Sequence, residues 1–100
     1  MSGAGSGEAD LVAVHVLVRG VVQGVFFRET MRREADAAEV CGWVRNLGDG
    51  RVEALVEGSR SGVDSVVDWC RRGPRRAVVT EIEVSDVPAS GITGFRVRHD

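Results

Sequence analysis

GVVQGVFFRET, residues 20–30, marks the point where alternating hydrophobicity gives way to helical spacing. Before it, LVAVHVLVR (11–19) places Val12, Val14, Val16 and Val18 on one face, the period-two pattern of a strand with a well-defined inner side. After it, FRETMRREADAAEV brings Phe27, Met31, Ala35 and Ala38 to one helical face. Glu29–Arg33 and Arg32–Asp36 form i,i+4 pairs on the other face, and Gly42 is a terminator just beyond. The segment is therefore a glycine-bounded loop joining a strand to a helix, with the permanent cation Arg28 in the helix's first turn.

Working outward, WVRNL and RVEALVE flank Gly48-Asp49-Gly50, a hairpin signal. Ser59 or Ser61 can then cap a second helix, in which Val63, Val66, Val67 and Cys70 recur at i, i+3, i+4 and i+7, and Gly73-Pro74 ends it. AVVTEIEVSDV reads as a fourth strand, with Ile82 and Val84 alternating against Glu81 and Glu83. FRVRH reads as a short fifth strand at the edge. The order β-α-β-β-α-β with right-handed crossovers predicts an α+β, ferredoxin-like sandwich. Its sheet is antiparallel, both helices lie on one face, and a short extra C-terminal strand is added. Residues 1–10, MSGAGSGEAD, are Gly/Ser-rich and apolar-poor and read as a disordered lead-in to a single domain over 11–100.

The bulk composition, 43% hydrophobic and 28% charged, is that of an ordinary globular domain. A net charge of −2 supplies none of the basic field on which nucleic-acid binders rely. All 13 cations are arginine, so arginine at position 28 is no evidence by itself of a preference over lysine. Cys41 and Cys70 stand far apart, outside any metal-ligand spacing, and read as buried reduced thiols. Without a leader-like or membrane-spanning run, a cytoplasmic protein is expected.

Gly20 and Gly24 permit backbone conformations with positive φ, so a loop built on them can turn successive N–H groups inward. The helix that follows adds its own unpaired amides and dipole, and Arg28 adds a full charge. Spacing alone leaves two readings open: an anion nest, or a plain glycine-softened turn with Arg28 in solvent or paired with a carboxylate. The loop is neither a Walker loop, since no GK[ST] follows, nor a dinucleotide GxGxxG. Asn46, at the end of the second strand, is similarly open. Asparagine near a turn commonly bonds its own backbone, yet the topology can return that strand end to the loop's side of the sheet. His15 reads as a solvated sheet residue and His99 lies in the tail. There is no Ser-His-Asp or Cys-His arrangement and no HExxH, so hydrolysis here has no evident general base or metal.

The stretch Gly20-x-Val22-Gln23-Gly24-Val25-x-Phe27-Arg28 resembles the first signature of the acylphosphatase family. Gly42-Trp43-Val44-Arg45-Asn46, followed by Gly50-Arg51-Val52 and Gly58, resembles its second, and residues 73–77 and the Phe95-x-Val97-Arg98 ending are similar to the family too. Leu47 and the Arg98-His99-Asp100 terminus depart from the family pattern. The resemblance implies that the loop from Gly20 through Val21, Val22, Gln23, Gly24 and Val25 to Phe26 binds a substrate phosphate through its backbone amides. Arg28 would bind the same phosphate and Asn46 would hold the attacking water. It further implies metal-free, cofactor-free hydrolysis of an acyl phosphate by a free-standing monomer, with inorganic phosphate as product and inhibitor. No nucleic-acid or membrane partner is implied. The rival reading, a non-catalytic anion- or RNA-binding module on the same fold, wants exposed aromatics on central strands; the chain has no Tyr, three Phe and two Trp.

Overall fold

Alternating valines build the first strand, and its pairing sets the rest. The computed structural model describes residues 11–100; the expected lead-in at 1–10 lies outside the described residues. The elements are β1 (Leu11–Val21), α1 (Phe27–Ala37), β2 (Cys41–Asn46), β3 (Val52–Ser59), α2 (Arg60–Cys70), β4 (Val78–Val87) and β5 (Phe95–Arg98). The five strands form one sheet in the order β4-β1-β3-β2-β5. The first four pair antiparallel, as expected, and β5 joins β2 in parallel, which makes the sheet mixed.

One row of register partners, Val84–Val16–Ala54–Val44–Val97, shows how the core is laid. Its three central members are buried, together with Val14, Val18, Val52 and Val56 along the same strand faces. Both helices pack on that face. Phe27, Met31 and Ala35 come from α1, and Val63, Val66, Val67 and Cys70 from α2, all in one hydrophobic cluster. The Phe27 ring tilts against Trp69 with centroids 5.1 Å apart, and the Cys70 thiol donates to Met31 Sδ at 3.9 Å. Burial pushes that thiol up to about 12, so it stays protonated and unreactive. Cys41, in β2, is half-buried and equally free of a disulfide. Val84 is exposed because β4 is an edge strand beyond the cover of the helices.

Four local readings change. Gly42 does not end α1. The turn is made by Glu39 in a left-handed conformation (φ 58°), with the Val40 amide reaching back to Ala35 O at 3.0 Å. Gly42 instead sits inside β2, where a Cβ would lie 1.8 Å from the Leu55 carbonyl oxygen. Glu29 pairs with Arg32, which also reaches Asp36, rather than with Arg33. β1 continues past Arg19 through a bulge, so Gly20 and Val21 are ladder residues opposite Val79 and Val78. A Cβ on Gly20 would meet Val78 O at 2.0 Å. His15 is not simply solvated: its Nε2 lies 2.7 Å from Glu53 Oε2. Ser59 caps α2 as anticipated, accepting from the Gly62 amide at 3.1 Å. Among the described residues, no helix is long and apolar enough to cross a membrane.

Candidate active site

β1 and β2 both run antiparallel to β3, and β5 runs parallel to β2, so the C-terminal ends of all three arrive at one end of the sheet. Val21, Asn46 and Arg98 are those ends. The loop after β1 lies at the same end and feeds α1, whose N-terminus opens there. A pocket of about 310 Å³ lies at this junction. Arg28, Glu29, Asn46 and His99 give it a polar side; Val22, Phe26, Phe27 and Val97 give it an apolar one, and Gly24 contributes backbone.

The loop is shaped for anions by an alternation of handedness. Gly24 has φ 76° and Phe26 φ 64°, while Val25 between them is not left-handed. Alternation of this kind aims neighbouring amides to one side. The first backbone bond of the turn is Thr30 N–H to Phe26 O at 3.0 Å, and Phe26, as N-cap, supplies no side-chain cap. The amides of the first helical turn are therefore left to whatever the pocket receives. Gly24 holds its conformation in open space, with no atom within 4 Å of an added Cβ.

Arg28 is the second residue of α1, half-buried, and held by one arm. Its Nη1 donates to the Arg98 carbonyl oxygen at 3.2 Å and to His99 Nδ1 at 3.2 Å. The Nε and Nη2 groups have no protein acceptor among the described residues, so the fork keeps donors for a ligand. Behind this contact, the Arg98 guanidinium lies over the Trp43 ring at 4.6 Å and pairs with Asp100. That fixes the strand end whose carbonyl holds Arg28. Asn46 Oδ1 is buried without a hydrogen-bond donor, a costly condition for an amide oxygen. The Gln23 side chain donates to Leu47 O at 2.8 Å and Arg51 O at 3.0 Å, fastening the loop to the turn that begins at Asn46. Glu29 would oppose an anion, but its hydrogen bond to Arg32 holds its carboxyl below the usual carboxylate range and draws its charge into an ion pair.

Of the loop and site residues singled out in the sequence, Val22, Gly24, Phe26, Arg28 and Asn46 line the one pocket. Gly20 and Val21 belong to the sheet, Gln23 acts through its side chain, and Val25 packs against the core. The tail residues Arg98 and His99, and Glu29, were not anticipated. For the two tail residues the only signal was the position of β5, and a contact spanning 70 residues leaves no local pattern.

A family model described as Acylphosphatase matches residues 14–97. An acylphosphatase of Rubrobacter xylanophilus is 55% identical over 86 residues, covering 85% of this chain and 78% of the relative. One of Haloquadratum walsbyi is 51% identical over 84 residues, covering 84% and 90%. The solved structure of an acylphosphatase from Coxiella burnetii superposes with a TM-score of 0.87 at 37% identity, over 91% of this chain and 96% of that one.

Proposed function

The chain belongs to the acylphosphatase family, and on that premise we propose that it hydrolyses acyl phosphates to a carboxylate and inorganic phosphate, without a metal. The substrate's phosphate sits against the amides of the Gly24–Phe26 turn and the α1 N-terminus, with the free donors of Arg28 on its non-bridging oxygens. The side-chain amide of Asn46, at the pocket wall, holds a water and sets its line of approach to phosphorus. As the water oxygen bonds to phosphorus, the bond from phosphorus to the acyl oxygen breaks and its electron pair leaves on the carboxylate. The protons of the water pass to the phosphate and to solvent. A carboxylic acid has a pKa of roughly 4, so this leaving group departs without protonation and no general acid is required. A loose transition state asks chiefly for position and for charge stabilisation, which amides and a guanidinium supply.

The observation that carries this reading is the convergence of Arg28 and Asn46 on one pocket. An RNA platform on the open sheet face is disfavoured, because the Arg98 and Arg45 guanidiniums lie over the Trp43 ring at 4.6 and 5.6 Å.

The test is turnover of benzoyl and acetyl phosphate in the presence of EDTA, beside p-nitrophenyl phosphate, whose poorer leaving group should defeat the site. Asn46→Ala should lower kcat by about 100-fold or more with a much smaller change in KM, because the water belongs to the transition state rather than to bound substrate. Wild-type kcat in that variant would remove Asn46 from the mechanism, and activity abolished by EDTA would remove the metal-free step.

A further inference from the structure

Phe26 is 75% exposed, the one exposed large aromatic among the described residues, and it stands at the pocket mouth. Its backbone is left-handed at φ 64°, a conformation that disfavours any residue with a Cβ. Glycine would relieve that conformation, and the loop already uses glycine at Gly24 two residues earlier. The ring also returns nothing to the core, which is closed by its neighbour Phe27. Two unfavourable features at one residue, strain and exposed apolar area, thus have no compensation within the fold.

The pocket supplies one. Its volume of about 310 Å³ exceeds what a phosphate needs. Five heavy atoms, each given the roughly 30 Å³ share of a liquid water, take about 150 Å³. The charged end is claimed by Arg28 and the helix amides, and the rest of the lining is apolar: half-buried Val97 and exposed Phe26, over the fully buried Val22 and Phe27. A ligand that fills both parts is an anion joined to a flat or extended apolar group.

We propose that Phe26 selects the acyl group, favouring aromatic or larger apolar acyl phosphates over short ones by contact with its ring. This rests on reading the pocket as an acyl-phosphate site, and it places specificity in a side chain whose backbone serves the phosphate. The strained conformation projects the ring outward over the mouth instead of letting it fold into the core.

The experiment compares wild type, Phe26→Ala and Phe26→Tyr. The ratio of kcat/KM for benzoyl phosphate to that for acetyl phosphate should fall about tenfold in the alanine variant, the scale of one aromatic contact, and return in the tyrosine variant. The same three proteins are titrated calorimetrically with benzoylphosphonate and acetylphosphonate, which carry the two acyl groups on a non-hydrolysable phosphorus. Wild type should bind the benzoyl compound about tenfold more tightly, with that margin lost only in Phe26→Ala. A ratio within about twofold of wild type in Phe26→Ala, in turnover or in phosphonate affinity, would overturn the assignment. If wild type turns over neither substrate, the reading of the reaction fails on its own and the phosphonate titration still decides Phe26. Because the ring is exposed, circular dichroism of the variants should match wild type.

Discussion

A guanidinium at the second residue of a helix meets the positive end of the helix dipole, and Arg28 tolerates this because the Arg98 carbonyl and His99 Nδ1 accept from one arm. The other donors give the residue its expected effect. Arg28→Ala should raise the inhibition constant for inorganic phosphate by about 10- to 100-fold, the scale of a charged hydrogen-bonded contact. Arg28→Lys should recover only part, since an ammonium cannot both keep the tail contact and present a fork. Phosphate inhibition unchanged in the alanine variant would mean that the amides bind alone. Glycines separate in the same way. Gly42→Ala drives a Cβ to 1.8 Å from Leu55 O and should cost about 3 kcal/mol or more in urea unfolding, whereas Gly50→Ala, in open space at φ 96°, should cost about 1 kcal/mol. Equal losses would show that φ, and not the close strand approach, governs both. Arg28 and Asn46 were legible because each ends or begins an element whose pattern the sequence carries. Phe26 was legible as part of the loop, but not as a left-handed, projecting ring, because nothing in a residue's type announces a positive φ outside glycine.

At the scale of elements, two loops must be held together for the pocket to exist, and one side chain does this across 24 residues. Gln23 bonds the carbonyls of Leu47 and Arg51, which themselves close the β2–β3 turn through Leu47 N–H to Arg51 O at 2.8 Å. Gln23→Leu keeps the size and removes both donors. It should lower stability by about 1–2 kcal/mol and reduce kcat about tenfold with KM moving less, since Asn46, next to Leu47, loses its fixed distance from the loop. A variant equally destabilised but with wild-type kcat would make the staple purely structural. The extents of α1 and α2 followed from apolar spacing, yet their ends depended on different kinds of evidence. Ser59 was readable as a cap because its hydroxyl chemistry is local. The end of α1 was not, because Glu39 takes the left-handed position that Gly42, three residues later, was expected to fill. The same competition moved Gly20 from the loop to a bulge in β1, where the demand for glycine comes from the backbone of β4.

Across the whole molecule, the site and the far end of the sheet are joined through β5. At the far end, Glu57 is only 5% exposed and holds the β4–β5 connection by accepting from the Ser90 and Gly91 amides at 2.9 and 2.8 Å, so that β5 lies on β2 and delivers Arg98 to Arg28. Strand order was legible from alternation and short connections, but the parallel seating of β5 was not, because its anchor is a buried carboxylate contacting a loop 33 residues away. For Glu57, burial raises the carboxyl pKa, but the Ser90 and Gly91 amides, with the Ser90 hydroxyl and the Ile92 amide, outweigh it and leave the group below its usual range. Burial works the same way on Glu53, and His15 and Arg45 outweigh it there. A carboxylate lowered in the fold stabilises it fully above the unfolded value, about 4.3 for glutamate, and that contribution is lost as pH falls through the lower native value. The urea midpoint should therefore be level between about pH 5 and 7 and drop steeply below about pH 4. Glu57→Gln should start lower at pH 7, because an amide cannot replace a carboxylate accepting from several donors, and should show a shallower acid limb, having one linked proton fewer. Its phosphate affinity should also weaken at neutral pH, through β5 and the Arg98 carbonyl. An acid limb as steep as that of wild type would place the linkage on Glu53 and the exposed acids instead, and phosphate affinity unchanged at pH 7 would uncouple the far end of the sheet from Arg28.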